Sequence, residues 1–169
     1  MGKVYVRVDD RLIHGQTIVA WCPALGIKEI IGIDDESAKN PTIKSIMKMS
    51  VPSSYKTDIV TTEEAITLLK TGSGDNRLII VKSPGKLPQI AEAIKGSEYI
   101  MLGNISKRPD SVHKLGGATG IFYLSDQDVK DIDGLVKQGF TVNFQQLPNT
   151  AKTGWDSFRK TIKLGGERT

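Results

Sequence analysis

An open, mostly parallel α/β sheet with helices on both faces is the fold class this sequence predicts. Three observations lead there. Short apolar runs rich in Ile, Val and Leu recur along the chain, as buried parallel strands do. Segments with apolar residues at helical spacing lie between them, several opened by Asn, Thr or Ser. The alternation continues from end to end with no internal repeat and no linker that would split it. Such an order implies right-handed crossovers and a sheet covered on both sides. At 169 residues, one domain over 1–164 is expected, with 165–169 a loose tail.

Val4-Tyr5-Val6 reads as the first strand and Thr17-Ile18-Val19-Ala20-Trp21 as the first helix. Glu29 to Asp34 is the second strand. Asn40-Pro41 offers an N-cap with proline at the first helical position, and Ile43, Ile46 and Met47 keep helical spacing after it. Lys56 to Val60 is a third strand, and Thr61 to Glu64 forms a capping box for the helix bearing Ala65, Ile66, Leu68 and Leu69. Arg77 to Lys82 is a strong strand, Leu87 to Lys95 a helix, and Glu98 to Leu102 the next strand. Gly103 to Gly117 breaks the rhythm as a long loop, before a strand over Ala118 to Leu124. Ser125 caps a helix with Val129, Ile132, Leu135 and Val136 on one face, closed by Gly139. Phe140 to Gln146 is the final strand, and Trp155 to Leu164 a last short helix. Gly72-Ser73-Gly74-Asp75 precedes a strand rather than a helix, so it fails as a phosphate-binding loop.

Composition narrows the function. The 38% hydrophobic and 25% charged content is that of a soluble globular protein, with no apolar run long enough to span a bilayer and no signal-peptide pattern. A lone cysteine, Cys22, points to a reducing cytosol and to a small buried group. The charge of +4 comes from dispersed lysines. It favours acidic partners, phosphate groups or an anionic membrane surface over nucleic acid, which calls for a basic stripe with interleaved aromatics. Two histidines and one cysteine argue against a zinc site.

The chemistry concentrates in Arg7-Val8-Asp9-Asp10-Arg11-Leu12-Ile13-His14-Gly15-Gln16, the passage from the first strand to the first helix. Ligand sites in parallel sheets lie beyond the carboxyl ends of the strands, where this loop falls. Gly15 lets a group approach the backbone, and the amides that open the helix, including that of Gln16, suit an anion. Arg11 adds a charge-assisted hydrogen bond. Arg7 ranks below it, because its side chain can belong to the strand end. A histidine nucleophile needs one ring nitrogen free and the other held as a donor, and Asp9 or Asp10 is a candidate to hold it. As turn formers after a strand, both aspartates also have a purely structural reading. His113 and Lys107-Arg108 are read as solvated loop residues, and Trp21 as core.

That ten-residue run, with Trp21 beyond it, closely resembles the phosphorylation site of the IIB component of the mannose/fructose/sorbose class of the bacterial sugar phosphotransferase system. Ile33-Asp34-Asp35-Glu36 with Asn40-Pro41, Gly103-Asn104, Gly116-Gly117, the Ser125-to-Asp128 helix start and the Gln146-to-Pro148 ending are similar to the same family. Thr17, where the family often has an aliphatic residue, and Cys22-Pro23 depart from it.

The resemblance implies a phosphocarrier enzyme, a protein-Npi-phosphohistidine–sugar phosphotransferase. His14 takes a phosphoryl group from the IIA component, on Nδ1, and passes it to a sugar held by the membrane components IIC and IID. No cofactor is implied. A cytoplasmic protein associated peripherally with the membrane through IIC and IID is expected, and a homo-oligomer is left open. Two other classes compete: an anion-binding regulatory domain that forms no adduct on His14, and a weak, salt-sensitive nucleic-acid binder.

Overall fold

The computed structural model describes residues 1–115 and 120–167. Gly116-Gly117 and the first part of the strand expected over Ala118 to Leu124 lie outside the described residues, as do 168 and 169 of the tail.

The elements run β1 (Val4–Asp9), α1 (Gly15–Leu25), β2 (Ile27–Ile33), α2 (Asp35–Ala38), α3 (Pro41–Met49), β3 (Lys56–Val60), α4 (Thr62–Leu69), β4 (Asn76–Val81), α5 (Leu87–Ile90), β5 (Ile100–Asn104), β6 (His113–Lys114), β7 (Tyr123–Leu124), α6 (Asp126–Lys137), β8 (Val142–Phe144), β9 (Thr153–Gly154) and α7 (Trp155–Arg159). Short 3₁₀ turns precede α5 and close the described chain.

The main sheet has the order β3-β2-β4-β1-β5-β8-β9. All its pairings are parallel except β8 with β9. β6 and β7 form a separate antiparallel pair. β1 thus sits centrally, flanked by strands that come much later in the chain. The chain leaves β1 toward β2 on one side and leaves β5 toward β8 on the other. This reversal opens the crevice where parallel sheets place their ligands.

Two apolar layers cover the sheet. On one face Tyr5, Ile30, Leu78, Ile80 and Met101 pack with Ile18, Trp21 and Cys22 of α1, and Met47 of α3 packs against their edge. On the other, Val6, Val8, Ile79 and Val81 meet Ala65, Leu87, Ile90, Val129, Ile132, Trp155 and Phe158. The strand period of two explains the division: Tyr5, Arg7 and Asp9 share a face, and Val6 and Val8 point away from it.

The expected caps are present. Asn40 Oδ1 accepts from the Ile43 amide at 3.2 Å. Thr61 and Glu64 satisfy each other's amides at 3.1 and 2.8 Å, and Ser125 and Asp128 do so at 3.0 and 2.9 Å. Pro23 lies inside α1, which still runs to Leu25. The helix expected over Leu87 to Lys95 is regular only to Ile90, and irregular turns follow. The last helix stops at Arg159, short of Leu164.

Cys22 is fully buried in the α1 layer. Burial pushes its thiol up to about 12, so at about pH 8 its thiolate fraction is on the order of 10⁻⁴. Native protein is expected to resist iodoacetamide and to be alkylated only after addition of denaturant, as read by mass spectrometry. Prompt labelling of the native thiol is the contrary result.

Candidate functional site

The site is built on a backbone device. After β1 the chain turns on Leu12, whose φ of 59° is left-handed. Its amide donates to the Asp9 carbonyl at 2.9 Å. A non-glycine residue held there costs roughly 1–3 kcal/mol and persists only where its surroundings fix it. Here they do: the Leu12 side chain is completely buried, with Ile13 nearly so. Both lie over Gly32 of β2, where a Cβ would stand 3.3 Å from Leu12 Cγ and 3.4 Å from Ile13 Cδ1. With two apolar anchors sunk in the core, the next residue emerges at the sheet's carboxyl edge. That residue is His14.

His14 is the N-cap of α1, with extended backbone. Its Nδ1 accepts from the Gln16 amide at 3.3 Å. An accepting Nδ1 is the unprotonated nitrogen of the neutral ring. The lone pair therefore faces the amides that open α1, where an anion is favoured. His14 is half-buried, and Gly15 and Gln16 are exposed.

Arg11 is clamped beside it. Nε and Nη2 donate to Asp9 Oδ1 and Oδ2 at 2.9 and 2.8 Å, a bidentate pair, and Nη1 donates to Gln16 Oε1 at 3.3 Å. Its hydrogen bonds to Asp9 raise the Arg11 pKa above its ordinary value. The Nε–Nη2 edge of the guanidinium is thus spent on Asp9. Nη1 points to the start of α1.

Asp9 is completely buried. It also accepts from the Arg11 amide at 3.1 Å and from Thr17 Oγ1 at 3.4 Å, and it lies 3.5 Å from Arg7 Nε. Asp10 turns the other way, to Asn104 Nδ2 at 2.6 Å and the Ser106 amide at 2.8 Å, and so ties the first loop to the end of β5. The orienting role expected of Asp9 or Asp10 is therefore corrected. Both carboxylates are committed elsewhere, and the bond that fixes the His14 ring comes from the Gln16 amide.

Sequence reasoning underrated Arg7 and Trp21. Arg7 is 1% exposed. Its guanidinium donates to the carbonyls of Gln145 and Gln146 at 3.2 and 3.1 Å and lies 5.4 Å from the Trp21 ring centroid. Trp21 is core as expected, but its Nε1 also donates to the Gln146 carbonyl at 2.9 Å. Burial pushes the Arg7 pKa down to about 10, with Asp9 opposing the shift.

Two expectations fail. His113 is buried rather than solvated, with Nε2 at 2.7 Å from Asp126 Oδ1 at the start of α6. Arg108 pairs with Asp128 instead of standing free at a loop tip, while Lys107 is exposed. A cleft of about 600 Å³ lies at the amino ends of β1 and β4, lined by Lys3, Val4, Leu69, Arg77, Ile94 and Glu98 among others, and none of the site residues lines it. Among the described residues, no cluster of His, Cys, Asp or Glu is arranged to hold a metal ion.

Residues 3–167 match the family model described as the sorbose subfamily IIB component of the PTS system. The chain is 34% identical over 104 residues to a probable phosphotransferase enzyme IIB component of Streptococcus pyogenes, an alignment that spans 60% of this chain and 64% of that one. It is 24% identical over 153 residues to the fructose-specific EIIB component of Bacillus subtilis, covering 89% and 91%. Its fold is similar to the IIBSor domain of the sorbose permease of Klebsiella pneumoniae, with a TM-score of 0.84 at 19% identity over 96% of this chain and 99% of that one.

Proposed function

The chain belongs to the sorbose subfamily of phosphotransferase-system IIB components, which take a phosphoryl group from a IIA component and transfer it to a sugar, and we propose that His14 is the residue that carries it here. One observation supports this above the rest. The Nδ1 lone pair of His14 faces the opening amides of α1, beside an arginine whose remaining edge points the same way. In the first transfer, Nδ1 releases the Gln16 amide and its lone pair attacks the phosphorus of a phosphohistidine on IIA. The bond to the donor nitrogen breaks as the new one forms, and the donor ring recovers its lone pair. Gln16 N–H, Gly15 N–H and Arg11 Nη1 then hold the phosphoryl oxygens. In the second transfer the oxygen of a sugar hydroxyl, presented by the membrane components IIC and IID, bonds to the phosphorus as the P–Nδ1 bond breaks, His14 recovers its lone pair, and the hydroxyl proton passes to solvent.

Phosphoryl transfer is chiefly positioning and electrostatics, and direct passage needs donor and acceptor within near-attack range. The edge placement of His14 suits that need better than a closed pocket does. No helix among the described residues is long and apolar enough to cross a membrane. Contact with the membrane on this reading runs through IIC and IID. The test is incubation with phosphoenolpyruvate, the general phosphotransferase proteins and the cognate IIA. Intact-mass analysis should show one added phosphoryl group that is labile in acid, and fragment mapping should place it on His14. No adduct, or an adduct elsewhere, overturns the reading.

Arg11→Ala is expected to slow transfer on the order of 10²-fold, more than it weakens IIA docking, as when one preorganised donor to a developing charge is removed. Arg11→Lys should recover only part, because lysine lacks the planar fork that Asp9 grips. A wild-type rate in Arg11→Ala refutes the role. Since both partners must reach His14, IIA is expected to dock on the loop from Arg11 to Gln16, transiently and in a salt-sensitive way. Chemical-shift changes centred on the opposite edge of the sheet would contradict direct transfer.

A further inference from the structure

We infer that buried Arg7 is a positioning residue for phosphoryl transfer: it balances the charge of Asp9, so that Asp9 can grip Arg11 without cancelling it. The inference rests on the reading of His14 as the phosphoryl carrier.

Asp9 holds Arg11 by a bidentate pair, the strongest available clamp for a guanidinium. Taken alone, that clamp has a drawback. A carboxylate bound to Arg11 neutralises the charge that an incoming phosphoryl group needs. Arg7 removes the drawback. Its Nε lies 3.5 Å from Asp9 Oδ2, and its other described partners, the carbonyls of Gln145 and Gln146 and the face of Trp21, carry no formal charge. Two guanidiniums on one carboxylate leave the cluster with a net positive charge at its open end, where Arg11 stands. Asp10 acts on Arg11 more weakly, because its carboxylate is turned to Asn104 and Ser106.

The fold makes room for this arginine at some cost. A Cβ on Gly103 of β5 would stand 2.2 Å from Arg7 Cζ, so the strand next to β1 has no side chain at that point. Buried ion pairs are weak stabilisers, and apolar replacements are often neutral or better. A buried arginine in a cradle that excludes any side chain is therefore poorly explained by stability alone. The charge it supplies to Asp9 explains it.

The test is single-turnover transfer from phosphorylated IIA to Arg7→Gln, Arg7→Lys and Gly103→Ala. Thermal melts and IIA affinity are measured on each protein. Arg7→Gln keeps donors for the carbonyls but removes the charge. Folded Arg7→Gln should lose roughly tenfold or more in transfer rate with IIA affinity within about twofold of wild type, the signature of an interaction made in the transition state. Arg7→Lys, which keeps the charge, should transfer faster than Arg7→Gln at comparable stability. Gly103→Ala keeps every charge but must displace the Arg7 guanidinium, and it should also slow transfer. If the wild type is labelled on His14 but folded Arg7→Gln or Gly103→Ala transfers at the wild-type rate, the inference alone falls. It falls too if Arg7→Lys and Arg7→Gln lose equal rate, or if neither Arg7→Gln nor Gly103→Ala folds. If the wild type takes no phosphoryl on His14, the functional reading fails first.

Discussion

His14→Ala is expected to accept no phosphoryl group from IIA. The imidazole is the nucleophile, and nothing else at the start of α1 can form the same bond. Gly15 and Gln16 offer amides and a carboxamide, which are donors or weak acceptors at neutral pH. The loss should be complete within detection rather than partial. The variant also removes a helix cap, because His14 Nδ1 accepts from the Gln16 amide. Replacing a capping acceptor by alanine costs about 0.5–2 kcal/mol. The cleaner control is therefore His14→Asn, whose side-chain oxygen can cap α1 but cannot carry phosphate. Both variants should be blank by intact mass, and only His14→Ala should melt measurably lower. A persistent adduct in His14→Asn would sink the assignment, above all one mapped to His113. The structure argues against that site, because His113 is buried against Asp126 and is not presented to a partner.

What could be read along the chain, and what could not, divides by the range of the interaction. The strand-to-helix loop carrying His14, the Thr61 and Ser125 capping boxes and the N-cap at Asn40 are local patterns, and all are present. The apolar runs of β2 and β4 are equally local. The failures need partners distant in sequence. Asp10 looked free to orient His14 because Asn104, its partner, lies 94 residues away. Arg7 looked like a strand-end residue because the carbonyls it binds are 138 and 139 residues away. His113 sat in what read as open loop, and it is buried where β6 pairs with β7 and its ring meets Asp126 at the start of α6. The short antiparallel β9 carries no periodic signal in two residues. Trp21 at helical spacing gave its burial but not its indole bond to Gln146, whose loop arrives from the far end of β8.

Asp9→Ala is expected to be the most destabilising single change at the site. It removes the one carboxylate between two guanidiniums, of which Arg7 is fully buried. Deleting one partner of a buried pair costs about 3–5 kcal/mol, because the remaining charge is left uncompensated out of water. For a chain of this size that corresponds to a fall in Tm of roughly 10 °C. The penalty belongs to the stranded arginine rather than to the missing methylene and carboxyl. A double-mutant cycle separates the two. Arg7→Met fills the same space without charge, so Asp9→Ala in the Arg7→Met background should cost far less than in the wild type. The coupling should be on the order of 1–3 kcal/mol, as for contacting groups in one network. Additive effects would mean that Asp9 stabilises the fold through Thr17 and the Arg11 turn alone. Phosphoryl transfer should not recover in the double variant even if its Tm does. Without Asp9, Arg11 has lost both side-chain bonds that aim its Nη1 at the start of α1. Stability regained without activity is thus the outcome expected where Asp9 and Arg7 serve the Arg11 site rather than the fold alone.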